Sequence, residues 1–154
     1  MSTTPFFSII TASYNSGKTI SDTIDSVLNL DFQDFEYIII DGNSSDSTLE
    51  IIQSFVPKFE AKGVPYKFIS EKDKGIYDAW NKGIQLSSGE WISFLGSDDM
   101  YIEDALINYS KEINKSGSKT NYISSKVEII DEKHQFIRVI GKPFKWVDVV
   151  RNMN

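Results

Sequence analysis

Four short apolar runs, each closed by polar or acidic residues and each followed by a helical repeat, restrict this chain more than any other feature. They are PFFSIITA (5–12), FEYIIID (35–41), YKFIS (66–70) and EWISFLG (90–96). Runs rich in Ile and Phe, without helical periodicity, suit strands buried on both faces. Between them, Ile20, Ile24, Val27 and Leu28 recur at helical spacing and predict an amphipathic helix from about Gly17 to Leu30. Ser47 and Glu50 have the spacing of a capping box, and Ile52, Phe55, Val56 and Phe59 continue that helix on one face. Pro57 should kink or shorten it. Ile76, Ala79, Trp80, Gly83 and Ile84 predict a third helix ending near Ser88-Gly89, and Ile102, Leu106, Tyr109 and Ile113 a fourth. Strand and helix alternate four times, which argues for an α/β fold with a parallel sheet and helices on both faces. After Gly117 the pattern changes. Residues 121–131 and 134–141 flank Glu132-Lys133 as a hairpin would, and FKWVDVVRN (144–152) is a short amphipathic stretch.

With 154 residues, the chain suits one compact domain. Its net charge of -6 argues against nucleic acid as a partner, because no basic stripe is available to neutralise phosphates. An acidic protein that handles an anionic ligand needs backbone amides or a bound cation. The absence of cysteine excludes disulfides and thiolate metal sites. The N-terminus lacks the basic start and long apolar run of a signal peptide, and no stretch has the length of a membrane span, so a cytoplasmic location is expected.

In open parallel sheets, ligands bind beyond the carboxyl ends of the strands. The residues placed there are Thr11-Ala12-Ser13-Tyr14-Asn15, Asp41-Gly42-Asn43, Glu71-Lys72-Asp73-Lys74-Gly75 and Gly96-Ser97-Asp98-Asp99. For any one Asp, a capping or turn role is as good an account as a functional one. Four clusters on one sheet edge are harder to dismiss. Asp98-Asp99 is the sharpest of them, because adjacent carboxylates repel unless a cation sits beside them. With no His or Cys nearby, oxygen-only ligands suit Mg²⁺ or Mn²⁺, which could bridge to a diphosphate; the alternative is a cap for the following helix.

Gly17-Lys18-Thr19 also matches the end of a phosphate-binding Walker loop. However, Ala12 stands at its first glycine, and bulky Tyr14 lies where the loop would wrap phosphate. Ser16-Gly17-Lys18 reads instead as a helix start, with Ser16 near the N-cap.

The ordered motifs Thr11-x-x-Tyr14-Asn15, Asp41 to Thr48 (DGNSSDST) and Asp98-Asp99 resemble those of glycosyltransferase family 2. The stretch SEKDKGIYDAWNKGI (70–84) resembles a signature of family members that build bacterial surface polysaccharides. The resemblance covers the chain to about residue 140. It implies a GT-A, Rossmann-like three-layer sandwich with a mainly parallel central sheet and a C-terminal β-hairpin, and one nucleotide-sugar-binding domain over 1–154. The implied activity is inverting, metal-dependent transfer of a sugar from a nucleotide-sugar, with UDP expected, to a glycan or lipid-linked acceptor.

By position, the resemblance implies a nucleotide-sugar site of Thr11, Ala12, Ser13, Tyr14, Asn15, Asp41, Lys72, Asp73, Gly75, Ile76, Asp78, Asn81, Ser97 and Asp98. Tyr14 would pack near the base and Asp41 would bond to uracil. Asp99, with Asp98, would hold Mn²⁺ or Mg²⁺, and Ser97 stands where the family pattern has its first acid. The family's general base follows the metal motif within an acceptor-binding segment, and it is expected beyond Asn154. Asp131, Glu132 and Asp148 read as solvated and His134 as a strand residue. The chain is therefore expected to be the donor-binding half of a longer enzyme, and a non-catalytic binding module or inactive fragment is the alternative. Peripheral membrane attachment and homodimer formation are left open.

Overall fold

The computed structural model describes residues 4–117, 120–131 and 133–141, which form two compact units divided at Asn108 and Tyr109. The first contains β1 (Phe7–Ser13), α1 (Ile20–Leu28), β2 (Phe35–Asp41), α2 (Thr48–Ser54), α3 (Val56–Lys62), β3 (Tyr66–Ser70), α4 (Ile76–Leu86) and β4 (Trp91–Gly96). Helix α5 (Ala105–Ser116) spans the division. The second unit carries the hairpin β5 (Val127–Ile130) and β6 (Phe136–Ile140). The expected closing stretch, residues 144–152, lies outside the described residues, as do Glu132 and Asp148.

The four strands of the first unit pair in parallel in the order β3-β2-β1-β4. Alternation of side chains along each strand assigns the two faces. On one face Ile10, Ile38 and Ile40 pack with Ala79 of α4, joined by Ala12, Ile69 and Trp80. Gly83 permits this approach, because a Cβ there would overlap the Ile10 side chain. The opposite face carries Tyr37, whose ring lies against Phe59 of α3 and Tyr66 of β3, and the Phe59 and Tyr66 rings stack with centroids 4.4 Å apart. Every residue of β2 is buried, as a strand between two helical layers must be. Burying each of its isoleucines contributes about 1.5–3 kcal/mol relative to exposure.

Several boundaries differ from the sequence expectation for identifiable reasons. Helix α1 starts at Ile20 rather than Gly17, because residues 16–19 form a turn in which the Ser16 carbonyl accepts from the Thr19 and Ile20 amides. Thr19, not Ser16, is the N-cap. The Ser47–Glu50 capping box does not form; the Asp46 carboxylate accepts from the Thr48 amide at 3.0 Å instead. Pro57 acts as expected, sitting in the first turn of α3 and splitting the helical stretch at Phe55. The hairpin strands are shorter than 121–131 and 134–141, and His134 is not in a strand. It occupies the turn with φ 59°, where the Asp131 carboxylate accepts from the amides of Lys133 and Gln135.

One buried charge locks the amino end of the sheet. The Glu36 carboxylate accepts from Ser8 Oγ (2.7 Å), Lys67 Nζ (2.8 Å) and the amide and hydroxyl of Ser88 (2.5 and 2.9 Å). Ser8 Oγ in turn accepts from the Gly89 amide, so the α4–β4 connection is bound to three strands. Burial alone would raise the Glu36 pKa, but the bonds from Lys67, Ser8 and Ser88 outweigh it and hold the carboxyl at about 2. A depressed folded-state pKa stabilises the fold above the unfolded value, near 4.5, and that contribution disappears as pH falls toward 2. Glu36→Gln should therefore cost roughly 2–3 kcal/mol at pH 7. Urea unfolding of both proteins from pH 7 to pH 2 should show the gap closing below pH 4.5.

Candidate functional site

The strand registers Ser13↔Asp41, Asp41↔Ser70 and Ala12↔Gly96 bring all four carboxyl ends to one edge. Chain order reverses direction at β1, which has β2 on one side and β4 on the other. The crevice between the loops after β1 and β4 is thus the switch point where ligands bind in open α/β sheets. The edge collects the loop after β1, the Asp41–Thr48 loop, the segment from Glu71 into α4, and Gly96–Asp99.

Three successive amides of the loop after β1, those of Asn15, Ser16 and Gly17, are already used by the protein, whereas a phosphate-wrapping loop would need them free. The Asn15 amide donates to Ser44 Oγ (2.8 Å), the Ser16 amide to Thr48 Oγ1 (2.8 Å) and the Gly17 amide to Asp46 Oδ2 (3.0 Å). Asn15 Oδ1 accepts from the Ser45 amide (2.9 Å), with Asn15 itself at φ 48°. The bond from Thr48 Oγ1, above all, lowers the Asp46 pKa, and the Thr48 and Gly17 amides add to it. Lys18 is exposed. Gly17-Lys18-Thr19 is a turn stapled to the neighbouring loop, and the Walker resemblance is accidental.

Asp41 is completely buried. One oxygen accepts from Ser44 Oγ, and the other from the Ser44 amide (3.0 Å) and Ser70 Oγ (2.6 Å). Its carboxylate organises the tips of β2 and β3 from inside. Above it, Gly42 separates Tyr14 from Asp73: a Cβ on Gly42 would meet Asp73 Oδ2 at 2.7 Å and Tyr14 Cδ2 at 3.3 Å. Tyr14 is 65% exposed, leaving a free aromatic face beside a carboxylate. Thr11 and Ser13 are buried, with Thr11 Oγ1 bonded to Tyr37 Oη, so of these two only the backbone can reach a ligand.

In the third cluster, Asp73 Oδ1 accepts from the Gly75 amide (2.8 Å) and Asp78 Oδ2 from the Lys74 amide (3.1 Å). Lys82 closes the segment by donating to the Lys72 carbonyl and pairing with Glu71 (2.9 Å) and Asp78 (3.6 Å). The bond to Glu71 is the main cause of its raised pKa. Lys72, Gly75, Ile76 and Asn81 are exposed at the start of α4 and along it. Asp98 and Asp99 are exposed and converge over Gly96, where a Cβ would lie 2.7 Å from Asp99 Oδ2 and 3.1 Å from Asp98 Oδ1. Ser97 faces the other way, toward the loop after β1, with its Oγ 2.8 Å from Ser16 Oγ and its carbonyl accepting from Thr19 Oγ1 at 2.9 Å. A surface depression of about 440 Å³ lined by Asp31 and Tyr101–Asp104 contains none of the candidate residues.

Sequence reasoning gave no individual role to Ser16, nor to Ser44, Asp46, Thr48, Ser70 and Lys82, although the last five lie within the motif stretches 41–48 and 70–84. Besides those motifs, the signal was the density of hydroxyls and acids in SSDST (44–48), which reads equally as an ordinary loop.

A four-stranded parallel sheet with helices on both faces and an acidic pair at the tip of β4 is the architecture of the GT-A glycosyltransferases. The chain matches Glycosyl transferase family 2 over residues 8–146 and belongs to that family. It is 37% identical over 103 residues to the PGL/p-HBAD biosynthesis glycosyltransferase of Mycobacterium tuberculosis, covering 66% of this chain and 39% of that protein. It is 36% identical over 110 residues to the poly-beta-1,6-N-acetyl-D-glucosamine synthase of Staphylococcus epidermidis, covering 71% of this chain and 26% of the synthase. Among solved structures, it resembles S. aureus TarS 1-349 in complex with UDP-GlcNAc, with TM-score 0.63 and 27% identity over 71% of this chain and 31% of the other. The chain thus spans well under half the length of the relatives it matches.

The stapled loop is testable without a ligand. Asp46→Ala should raise amide hydrogen exchange at Gly17 and Thr48 by about tenfold or more, since both amides lose their acceptor. Lys18→Ala should leave exchange at both positions unchanged.

Proposed function

We propose that this domain binds the nucleotide-sugar donor for an inverting glycosyl transfer, with a UDP-sugar as donor and a glycan or lipid-linked molecule as acceptor. The observation that carries this reading is the spacing of two unlike half-sites along one sheet edge. Tyr14 and Asp73 flank Gly42 at one end, and Asp98 and Asp99 converge over Gly96 at the other. The exposed face of Tyr14 suits a planar base, with Asp73 as an acceptor for base or ribose donors. Buried Asp41 supports this end by holding Ser44 and Ser70 rather than by meeting the base itself. Lys72, Gly75, Ile76, Asp78 and Asn81 line the donor's path along α4.

The acidic end suits a hard divalent cation, Mn²⁺ or Mg²⁺. Its donors are all oxygen, and no third His, Cys, Asp or Glu joins them in a metal-sized cluster among the described residues. Two protein carboxylates leave coordination positions for phosphate oxygens and water, as hard cations at nucleotide sites require. Such a cation supplies neutralisation of the charge that develops on the departing diphosphate. Asp99 and Asp98 hold and orient it.

In the transfer, the acceptor hydroxyl attacks the anomeric carbon from the face opposite the diphosphate. The bond to the diphosphate oxygen breaks with its electron pair, and the hydroxyl proton passes to a carboxylate base. That the named relatives and family members act in glycosyl transfer, and that TarS was solved with UDP-GlcNAc, supports the reading.

Calorimetric titration with UDP, GDP and dTDP, with and without Mn²⁺, tests the assignment. UDP should bind best, Mn²⁺ should tighten it, and Asp99→Ala should weaken the Mn²⁺-dependent binding about tenfold or more. Unchanged binding in Asp99→Ala, together with loss of binding in Lys18→Ala, would sink the proposal.

A further inference from the structure

Ser97 stands at the position where the family pattern carries its first acid, yet its side chain turns away from Asp98 and Asp99. It meets Ser16 Oγ at 2.8 Å, and Ser16 Oγ donates to the Tyr14 carbonyl at 3.3 Å. The protons can be counted. A carbonyl only accepts, so the Ser16 hydroxyl proton is committed to Tyr14, and Ser97 must donate to Ser16. The result is a one-way chain from the acidic loop through two hydroxyls to the backbone of the aromatic residue at the other half-site. A second strut runs parallel to it, from Thr19 Oγ1 to the Ser97 carbonyl at 2.9 Å. These bonds cross the switch-point crevice, whereas the opposite flank of the same loop is held by Ser44, Ser45, Asp46 and Thr48. Tyr14 is exposed and its neighbour Asn15 has a positive φ, so ring contacts alone do not fix its place.

We infer that Ser97 is a positioning residue for the nucleoside end of the site, orienting Tyr14 through Ser16, rather than a cation or phosphate ligand. The inference rests on the nucleotide-sugar reading and adds a role for the serine that replaces an acid. It requires a donor at position 97. An aspartate there only accepts, so it would draw the Ser16 proton away from the Tyr14 carbonyl and break the chain as surely as alanine does.

Uridine is the discriminating probe, because it has no phosphate and its binding does not need the cation. Titrated into the full chain without metal, uridine should bind Ser97→Ala and Ser16→Ala on the order of 3- to 10-fold more weakly than wild type. The double variant should be no weaker than either single one, since both interrupt the same chain. Ser97→Asp should match Ser97→Ala, and Ser97→Thr, which keeps the hydroxyl, should restore most of the affinity. If Ser97→Ala fails to fold, the Ser97→Asp and Ser97→Thr pair carries the test. Uridine affinity that is unchanged in Ser97→Ala or Ser97→Asp, with only Mn²⁺-dependent UDP binding altered, overturns the inference and returns Ser97 to the cation site. Wild-type titration with UDP and Mn²⁺ separates the two levels. Binding there with no uridine effect in the variants rejects the positioning role alone, whereas no binding of either ligand rejects the donor reading and this inference together.

Discussion

Everything at the candidate site depends on the parallel register of β1 with its two neighbours. Ser13 lies opposite Asp41, and Ala12 opposite Gly96, so chains leaving β1, β2 and β4 emerge at one level. Parallel strands cannot be joined by tight turns, and each crossover therefore passes through a helix that covers a face. The same constraint that buries β1 and β2 on both sides also exposes their ends. Loops rich in Asp, Ser and Gly are left at the one edge where a polar ligand can be held without breaking the core.

The loop after β1 is the hub of that edge. Its amides are committed to Ser44, Thr48 and Asp46, and its hydroxyls to Ser97. A loop with three successive amides so engaged is poorly suited to wrap phosphate, but it is well placed to present Tyr14. In the proposed reading, phosphate handling would fall instead to the far side of the crevice, where Asp98 and Asp99 converge over Gly96. Such a division would suit an acidic chain: anionic charge would be met by a cation between carboxylates, and the uncharged base end by an aromatic face. At the amino end of the sheet, Glu36 does the complementary structural work, binding β1, β3 and the α4–β4 connection where no ligand is expected.

The extent to which the sequence was legible follows from the kind of interaction involved. β2 and β3 were predicted at their observed limits, because a two-sided hydrophobic run has few alternatives. Helix starts were less legible. Ser16 and Ser47 had the right identity for caps, but Ser16 is drawn to Ser97 and the amide of Thr48 is taken by Asp46. Local helix-start propensity loses at Ser16 to a hydroxyl 81 residues away, and at Ser47 to the carboxylate of its immediate neighbour Asp46. His134 was misplaced for a related reason: the Asp131 carboxylate builds a turn around it that no apolar pattern reports. Asp41, Asp73, Asp98 and Asp99 were recognisable as edge residues from their position after strands, whereas Ser70 and Lys82 acquire their roles only through partners elsewhere in the chain.

The sequence by itself determined the α/β alternation, the strands that form the sheet, the acidic pair at the tip of β4 and the family, because each is written in contiguous residues. Only the folded chain shows which carboxylates are free and which are spent. Asp41, Asp46 and Asp131 look as available as Asp98 and Asp99 when read along the chain. Folding brings hydroxyls and amides to the first three and none among the described residues to the last two. A carboxylate's capacity to act on a ligand is what remains after its neighbours have bonded to it: Asp46 and Asp131 are held by groups two to four residues along the chain, whereas Ser70 reaches Asp41 only because β2 pairs with β3.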